Sequence, residues 1–405
     1  MASKKKSFAS NHERTLYMKK LLIASAVTAA LAAPASVLAQ QARVPTLSQV
    51  LDASGLNVNG YLDAGYNWAN RDIERGFNNA LPAVGATPRV FDNQNNSFSL
   101  HQFGLTVAKQ PKEGFGGLVN LTVGKDAQVI HSFPENNPGT VNSLSTSTFD
   151  MTQAYLSYSQ GAFTTIGGKF TTLAGTEVIA STGNTTISRS FLFGAVPFTH
   201  TGVRASFAPS DTITLYGGLN NGWDQLQDAN RNKTLELGAS FNPVKPLSFT
   251  VSGYFGDEPT LGGGNAERDL IDLVANWTVN NSLNFGAEYL MVKQDDFAPG
   301  QGTGKYQGLA LYGNVMLNPQ WRVTARGEYF DDKNGFHFAT TNGAGGPQAV
   351  KYYEATLCLS WLPTSAVELR TEVRTDKANQ SVYIDSDGST SKTLMTFALQ
   401  GLYKF

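Results

Sequence analysis

The sequence contains a single cysteine, Cys358, in 405 residues. An internal disulfide is therefore excluded, and a lone thiol inside a strand-like run reads as a small packing residue. Charge is scarce: Asp, Glu, Lys and Arg together make up 16% of the chain. No segment gathers the concentrated basic face that nucleic acid demands. Only five histidines are present, which limits acid–base and metal chemistry. One long apolar run occurs, "LLIASAVTAALAAPASVLA" at 21–39, and its unbroken core is too short to cross a bilayer as a helix.

That run follows Lys19 and Lys20 and ends in Val-Leu-Ala. A basic start, an apolar core and a small-residue site describe a secretory signal, so residues 1–39 are expected to be removed after Ala39. A start at Met18 fits this pattern better than Met1. Losing the segment takes six basic residues and one acidic residue from totals of 31 and 32, so the exported chain is mildly acidic. Residues 40–54 then form a short periplasmic segment. No lipid-attachment cysteine follows the signal.

What is plentiful is glycine, at 40 residues, with 24 Phe and 15 Tyr. From Gly55 onward about sixteen segments of roughly ten residues alternate apolar and polar side chains, the length and period of tilted membrane strands. Among them are "FGGLVNLTVG", "LIDLVANWTV", "WRVTARGEYF" and "AVELRTEVR". Short connections, "PKEG", "SQGA", "PSD", "NPQ" and "PTSA", alternate with long ones at 70–96, 127–147, 171–199, 332–348 and 377–391. Unbroken alternation predicts an all-β, transmembrane, up-and-down antiparallel β-barrel over 55–405, with short periplasmic turns and long extracellular loops.

The two faces of each strand differ as this requires. In "WRVTARGEYF" one parity gives Trp321, Val323, Ala325, Gly327 and Tyr329, and the other gives Arg322, Thr324, Arg326 and Glu328. In "AVELRTEVR" one face carries Glu368, Arg370, Glu372 and Arg374. A lipid-exposed Arg or Lys near the midplane costs roughly 2–4 kcal/mol, so these charges belong to a hydrated bore. Trp68 and Trp223, near external ends, and Trp277, Trp321 and Trp361, near turn ends, are expected to form interfacial girdles.

Residues 171–199 form the third external loop and contain "FLFGAVPF", too apolar to remain in water. This loop is the candidate constriction. Glu177 and Arg189 are expected to face Arg204, Glu236, Glu372 and Arg374, and fixed charges so arranged set selectivity in pores. A cap packed over the rim, with the same charges solvated, is the competing arrangement.

Two stretches, "GKFTTLAGTEVIASTGNTTISRSFLFGAVPFTHTGVRASF" at 168–207 and "GLNNGWDQLQDANRNKTLELGASF" at 218–241, resemble the putative beta-barrel porin-2 (OmpL-like) family. The likeness extends loosely over 50–405. It implies a Gram-negative outer-membrane porin for passive diffusion of small hydrophilic solutes or ions, with no transferable functional residues. The chain ends in "LMTFALQGLYKF", whose apolar parity reaches Phe405. Resemblance to other outer-membrane barrels implies that Tyr403 and Phe405 are a terminal assembly signal read by the barrel assembly machinery. The same analogy implies contact with outer-membrane lipid and lipopolysaccharide, and a homotrimer.

The alternative is a substrate-specific channel, or a surface receptor or adhesin barrel with partner-binding loops. An enzyme is not expected: of His101, His131, His200 and His337, only His200 lies near serines, Ser188 and Ser190, without a nucleophile-elbow pattern. No cofactor or metal is expected. "DQLQDANRN", Asp295 with Asp296, and Asp331 with Asp332 lack the spacing of a calcium loop.

Overall fold

The computed structural model describes residues 51, 53–71, 89–135, 145–260, 263–338, 347–385 and 387–405. The signal segment, both candidate starts and most of 40–54 lie outside the described residues. The barrel strands are β1 (Asn57–Ala69), β2 (Ser97–Lys109), β3 (Gly114–Val123), β4 (Phe149–Gln160), β5 (Phe163–Thr171), β6 (Thr199–Ser210), β7 (Ile213–Asn220) and β8 (Thr234–Val244). They continue as β9 (Leu247–Pro259), β10 (Asn265–Asn280), β11 (Leu283–Gln294), β12 (Gly304–Asn318), β13 (Trp321–Asp332), β14 (Val350–Trp361) and β15 (Val367–Ala378). A small hairpin, β16 (Tyr383–Ile384) with β17 (Thr390–Ser391), sits in the last loop before β18 (Thr393–Lys404).

Each barrel strand pairs antiparallel with its sequence neighbours, and β18 closes onto β1, giving a sealed cylinder of sixteen strands. Closure satisfies every ladder and leaves no edge, a necessity for strands in hydrocarbon. The seam runs from Tyr61 opposite Lys404 to Ala69 opposite Thr396. It ends on the last residue. Phe405 N donates to Gly60 O at 2.9 Å, and Gly60 N donates to Phe405 O at 2.8 Å. The Phe405 ring stays 57% exposed on the outer surface, beside Phe103 and Tyr403 with centroids 6.4 and 6.0 Å away.

The alternation decides which side chains meet which medium. Along β13 the Trp321 parity faces outward, whereas Thr324, Arg326 and Glu328 are buried inside. On β15 Glu368, Arg370, Glu372 and Arg374 are all buried. Outward-facing Leu309, Leu311, Val315 and Leu317 on β12 are exposed, forming part of an apolar belt around the cylinder. We therefore expect Leu311→Arg to impair membrane assembly, at a cost of roughly 2–4 kcal/mol. Asn276→Arg, on the inward parity of β10 where the side chain meets open space, should assemble normally. Heat-modifiable migration of the refolded variants checks both, and equal yields would contradict the assigned faces.

Two expectations need correction. Alternation of long and short connections breaks at β9–β10, whose external connection is only residues 260–264. Strand β10 is the longest, at 16 residues. Trp223 is not a girdle residue. It is 8% exposed within the interior cluster, because its backbone N–H is held by Glu258 at 3.1 Å and its ring lies beneath Arg268, 4.8 Å from the centroid. Trp68, Trp277, Trp321 and Trp361 do face outward. Trp321 sits opposite Trp361, with centroids 6.2 Å apart.

Candidate functional site

The third external connection, residues 172–198, does not cap the rim. It turns inward after β5 and docks against the opposite wall. Its apolar tip forms a short helix, α2 (Phe191–Gly194), preceded in the loop by a 3-10 turn at Ser181–Gly183. Another single turn, α1 (Ala127–Ile130), lies in the second loop. Phe191 and Leu192 are fully buried. Phe191 packs edge-on to Phe330 and beside Tyr352 of the wall, with centroids 6.4 and 5.5 Å away, and Tyr306 Oη donates to Ala195 O at 2.7 Å. Apolar burial against β12, β13 and β14 supplies the reason that "FLFGAVPF" leaves water.

A loop that enters a barrel carries backbone groups that must be paired. Wall carboxylates accept them. Glu328 accepts Phe191 N and Leu192 N, both at 2.7 Å, and Ser190 Oγ accepts Phe193 N at 3.0 Å, so the first N–H groups of α2 are all satisfied. Glu372 accepts Ile187 N at 2.6 Å and Ser188 N at 3.0 Å. Asp272 accepts Gly175 N and Glu288 accepts Thr176 N, each at 2.8 Å. Tyr254 Oη accepts Leu173 N at 2.8 Å.

Wall arginines take the carbonyls. Arg370 donates to Ser181 O, Asn184 O and Thr186 O at 3.3, 2.6 and 3.1 Å. Arg374 Nη1 donates to Arg189 O at 2.5 Å, and Arg326 Nη1 donates to Ser188 O at 2.9 Å and to Glu177 Oε1 at 2.7 Å. Glu177 also accepts Ser190 N at 2.6 Å. The loop is thus clamped by both signs of charge at once.

Register explains how so many like charges can share the wall. Glu328 is opposite Glu354, and Glu354 opposite Asp376, giving an acidic row across β13, β14 and β15. The adjacent inward row is Arg326, Thr356 and Arg374. Further toward the turns come Glu372, then Arg322 with Arg370, then Glu368. Like charges directly opposite repel, but each acidic row borders a basic one: the Arg326–Arg374 row separates the Glu328–Asp376 row from Glu372, and Arg322 with Arg370 separates Glu372 from Glu368. Arg326 Nε reaches Glu354 at 3.2 Å, Arg374 Nε reaches Asp376 at 2.7 Å, and Arg370 Nε reaches Glu368 at 2.6 Å. Arg322 also pairs with Glu368.

The predicted facing charges therefore divide. Glu177 meets Arg326, while Glu372 and Arg374 hold the loop backbone. Arg204 and Glu236 do not face Glu177 or Arg189. They pair with each other across β6 and β8, Nη2 to Oε2 at 2.8 Å, with the Arg204 guanidinium 4.3 Å from the Phe170 ring centroid and Nη2 donating to Thr171 O at 3.0 Å. The reason is reach: they lie where the loop leaves the wall and not where it lands. Arg189 meets no carboxylate within ion-pair distance among the described residues. It donates to Val178 O, Ile187 O and Ile179 O and lies against Phe91 and Phe193. Burial pulls its pKa below the ordinary value, against the charge of Glu177.

Between the loop and the β1–β2–β18 wall is a cavity of about 20 Å³, the size of one water, lined by Asp63, Asn67, Asp92, His101, Asp126 and Arg189 among others. Asp126 Oδ1 and Asn67 Oδ1 have no hydrogen-bond partner there. Burial pushes the Asp126 carboxyl from 3.8 up to about 6, against the opposing charge of His101. A folded-state value above the unfolded one means the native protein binds the proton first, so stability rises as pH falls from above 6 toward 4. We expect Asp126→Asn to flatten thermal stability between pH 7.5 and 5, removing about 1.4 kcal/mol of pH-dependent difference. Melting in detergent at the two pH values tests this, and an unchanged slope would contradict it.

Toward the turns the inner wall changes character. Asn276, Thr278, Asn284, Asn314, Ser240 and Thr250 stand on the inward parity, exposed or half-exposed. Several bond to one another across strands, as in Asn314 Nδ2 to Asn284 Oδ1 at 2.8 Å. On the β8–β12 side a neutral polar stretch of wall thus leads from the turns to the charged, loop-filled waist, while Arg322, Arg370 and Glu368 carry charge toward the turn ends of β13 and β15. Sequence reasoning missed Asp272, Glu288, Glu258, Glu354 and Asp376. Inward parity in "LIDLVANWTV" and "SLNFGAEYLMV" would have singled out the first two, each a lone acid among apolar neighbours.

Catalytic geometry is not assembled among the described residues. Ser188 Oγ accepts Arg326 Nη2 at 3.0 Å and Ser190 Oγ caps α2. His200 is buried elsewhere, stacked on Tyr254 with centroids 4.5 Å apart.

Residues 55–405 match the model of a family described as "Putative beta-barrel porin-2, OmpL-like". No curated protein matches the chain in sequence. Among solved structures, the outer membrane channel DcaP of Acinetobacter baumannii has a TM-score of 0.58 at 13% identity, covering 86% of this chain and 97% of that one. The anion-selective porin from Comamonas acidovorans has a TM-score of 0.57 at 11% identity, covering 86% and 99%. In-vitro folded OmpT of Vibrio cholerae, a trimer form, has a TM-score of 0.56 at 10% identity, covering 86% and 99%. At such identities the likeness carries the fold.

Proposed function

We propose, from the premise that this chain belongs to the putative beta-barrel porin-2, OmpL-like family, that its third loop is the selectivity element of a passive outer-membrane pore. The protein is an outer-membrane porin through which small hydrophilic solutes diffuse. The observation that carries the finer reading is the docking of residues 172–198 onto wall charges by at least six backbone N–H groups. A loop so held narrows the bore at a fixed place.

Because most lumenal charges are already paired, selection by size outweighs selection by the sign of the solute. No catalytic role is assigned. Tyr403 and Phe405 are proposed to be read during assembly, because they sit outward at the seam where closure must finish. A homotrimer in lipid and lipopolysaccharide is the proposed assembly, supported by the trimer form of OmpT.

Liposome swelling tests the size rule. Neutral and charged sugars of equal size should enter reconstituted vesicles at similar rates, with a sharp fall as size grows. A strong preference for one charge, or for a single sugar, would favour a substrate-specific channel instead.

A further inference from the structure

The loop anchors on β10 and β11 differ from those on β13 and β15. Glu328 and Glu372 use both oxygens to accept loop N–H groups. Asp272 and Glu288 use one each. Their remaining oxygens, Asp272 Oδ1 and Glu288 Oε1, are buried with no partner, and both side chains are 1% exposed. Among the described residues neither carboxylate forms an ion pair, and Arg326 on the inner face of β13 is committed to Glu177 and Glu354.

These two groups are neighbours. Glu288 is opposite Val274, two residues along β10 from Asp272, so they stand diagonally on the inner face. Consecutive loop N–H groups, Gly175 and Thr176, bind them. A side chain on Gly175 would come within 3.9 Å of Glu288 Oε1, so the loop backbone closes over that oxygen. Two further oxygens on neighbouring residues are buried and unpartnered: Thr176 Oγ1, whose own N–H binds Glu288, and Tyr312 Oη. Tyr312 is the next inward diagonal residue on β12, with its ring laid over Gly286 and 8% exposed.

Two buried anions without a counter-charge are too costly to persist, and nature resolves such pairs with a cation or with protons. Four hard oxygens, two of them anionic, with no nitrogen or sulfur among them, match calcium-class chemistry. We propose that Asp272 Oδ1, Glu288 Oε1, Thr176 Oγ1 and Tyr312 Oη bind a divalent hard cation, calcium in type, which pins the first turn of the third loop to the wall. Water would complete the shell. The site is not a three-carboxylate cage, and no group of three or more His, Cys, Asp or Glu spaced for a metal occurs among the described residues. Half of its ligands are neutral hydroxyls.

The experiment uses the full barrel refolded in detergent free of lipopolysaccharide, with terbium(III) as probe. Tyr312 would be both ligand and sensitiser, so excitation of tyrosine should give terbium emission that calcium displaces. The Asp272→Asn, Glu288→Gln double variant should lose at least tenfold of that emission while keeping heat-modifiable migration. In wild-type protein, removing calcium with a chelator should make residues 172–198 sensitive to protease, and added calcium should restore resistance. Equal emission from wild type and double variant would overturn the proposal. So would protease resistance that ignores chelator and follows pH alone, the behaviour of a carboxylate pair neutralised by protons. If the double variant fails to fold, the chelator arm decides by itself.

Discussion

Replacing Glu328 and Glu372 together by alanine should release the third loop and raise single-channel conductance. Between them these carboxylates accept four loop N–H groups at 2.6–3.0 Å. Each hydrogen bond to a charged group contributes about 1.5–3 kcal/mol, so the pair contributes on the order of 6 kcal/mol to loop anchoring. That rivals the whole stability of many domains. The cylinder itself should survive, because its closure depends on backbone ladders running right around the sheet. The released loop would also leave α2 without acceptors for its first two N–H groups. Conductance recording and limited proteolysis at 172–198 check the outcome: a larger, noisier channel with a cleavable loop is expected. Unchanged conductance with a resistant loop would mean that the apolar tip alone holds it.

Arg326→Met should be the most damaging single substitution in the lumen. The guanidinium is 2% exposed as a residue and donates to Glu177, Ser188, Thr186, Glu354 and Thr356. Its removal takes the guanidinium from buried Glu177 and leaves buried Glu354 with only the longer contact to Arg374 at 3.7 Å among the described residues, and breaking a buried pair from one side costs about 3–5 kcal/mol. Methionine fills the volume but supplies no donor. The contrast is Lys293→Met: Lys293 meets Asp269 at 2.9 Å on the surface, with its side chain 46% exposed, and screened surface pairs contribute little. Thermal unfolding in detergent should show a large loss for the first variant and none for the second. Similar behaviour of both would remove the charge rows from the account of stability.

Much of this was legible in the sequence because a barrel writes its faces at every second residue. The parity of "WRVTARGEYF" and "AVELRTEVR" gave the burial of Arg326, Glu328 and the Glu368–Arg374 series directly. The same parity carried the terminal strand to Phe405. The length and apolar tip of the third loop marked it as exceptional, but the sequence left a lumenal course and a cap over the rim equally open.

What one strand cannot show is its neighbour. That Glu354 would stand between Glu328 and Asp376 depends on the register of β13, β14 and β15, and register is a relation between strands. The pairing of Arg204 with Glu236, and not with the loop, has the same origin. Trp223 misled because a strand end and a loop start look alike in a glycine-rich stretch, where "GLNNGWD" continues an apolar rhythm past the last ladder residue, Asn220. Parity marks Asp272 and Glu288 as inward acids, but their role as single-acceptor anchors was unreadable because nothing in sequence tells which loop amides will face them.

The most direct test is conductance of the purified wild-type barrel in planar bilayers beside a variant lacking 186–194, the part of the third loop that lands on β13 and β15. The account predicts a steady, ohmic channel for the wild type and a larger one for the variant. A wild type that passes no current, or a variant whose current matches it, would contradict a bore narrowed by a loop clamped to the wall.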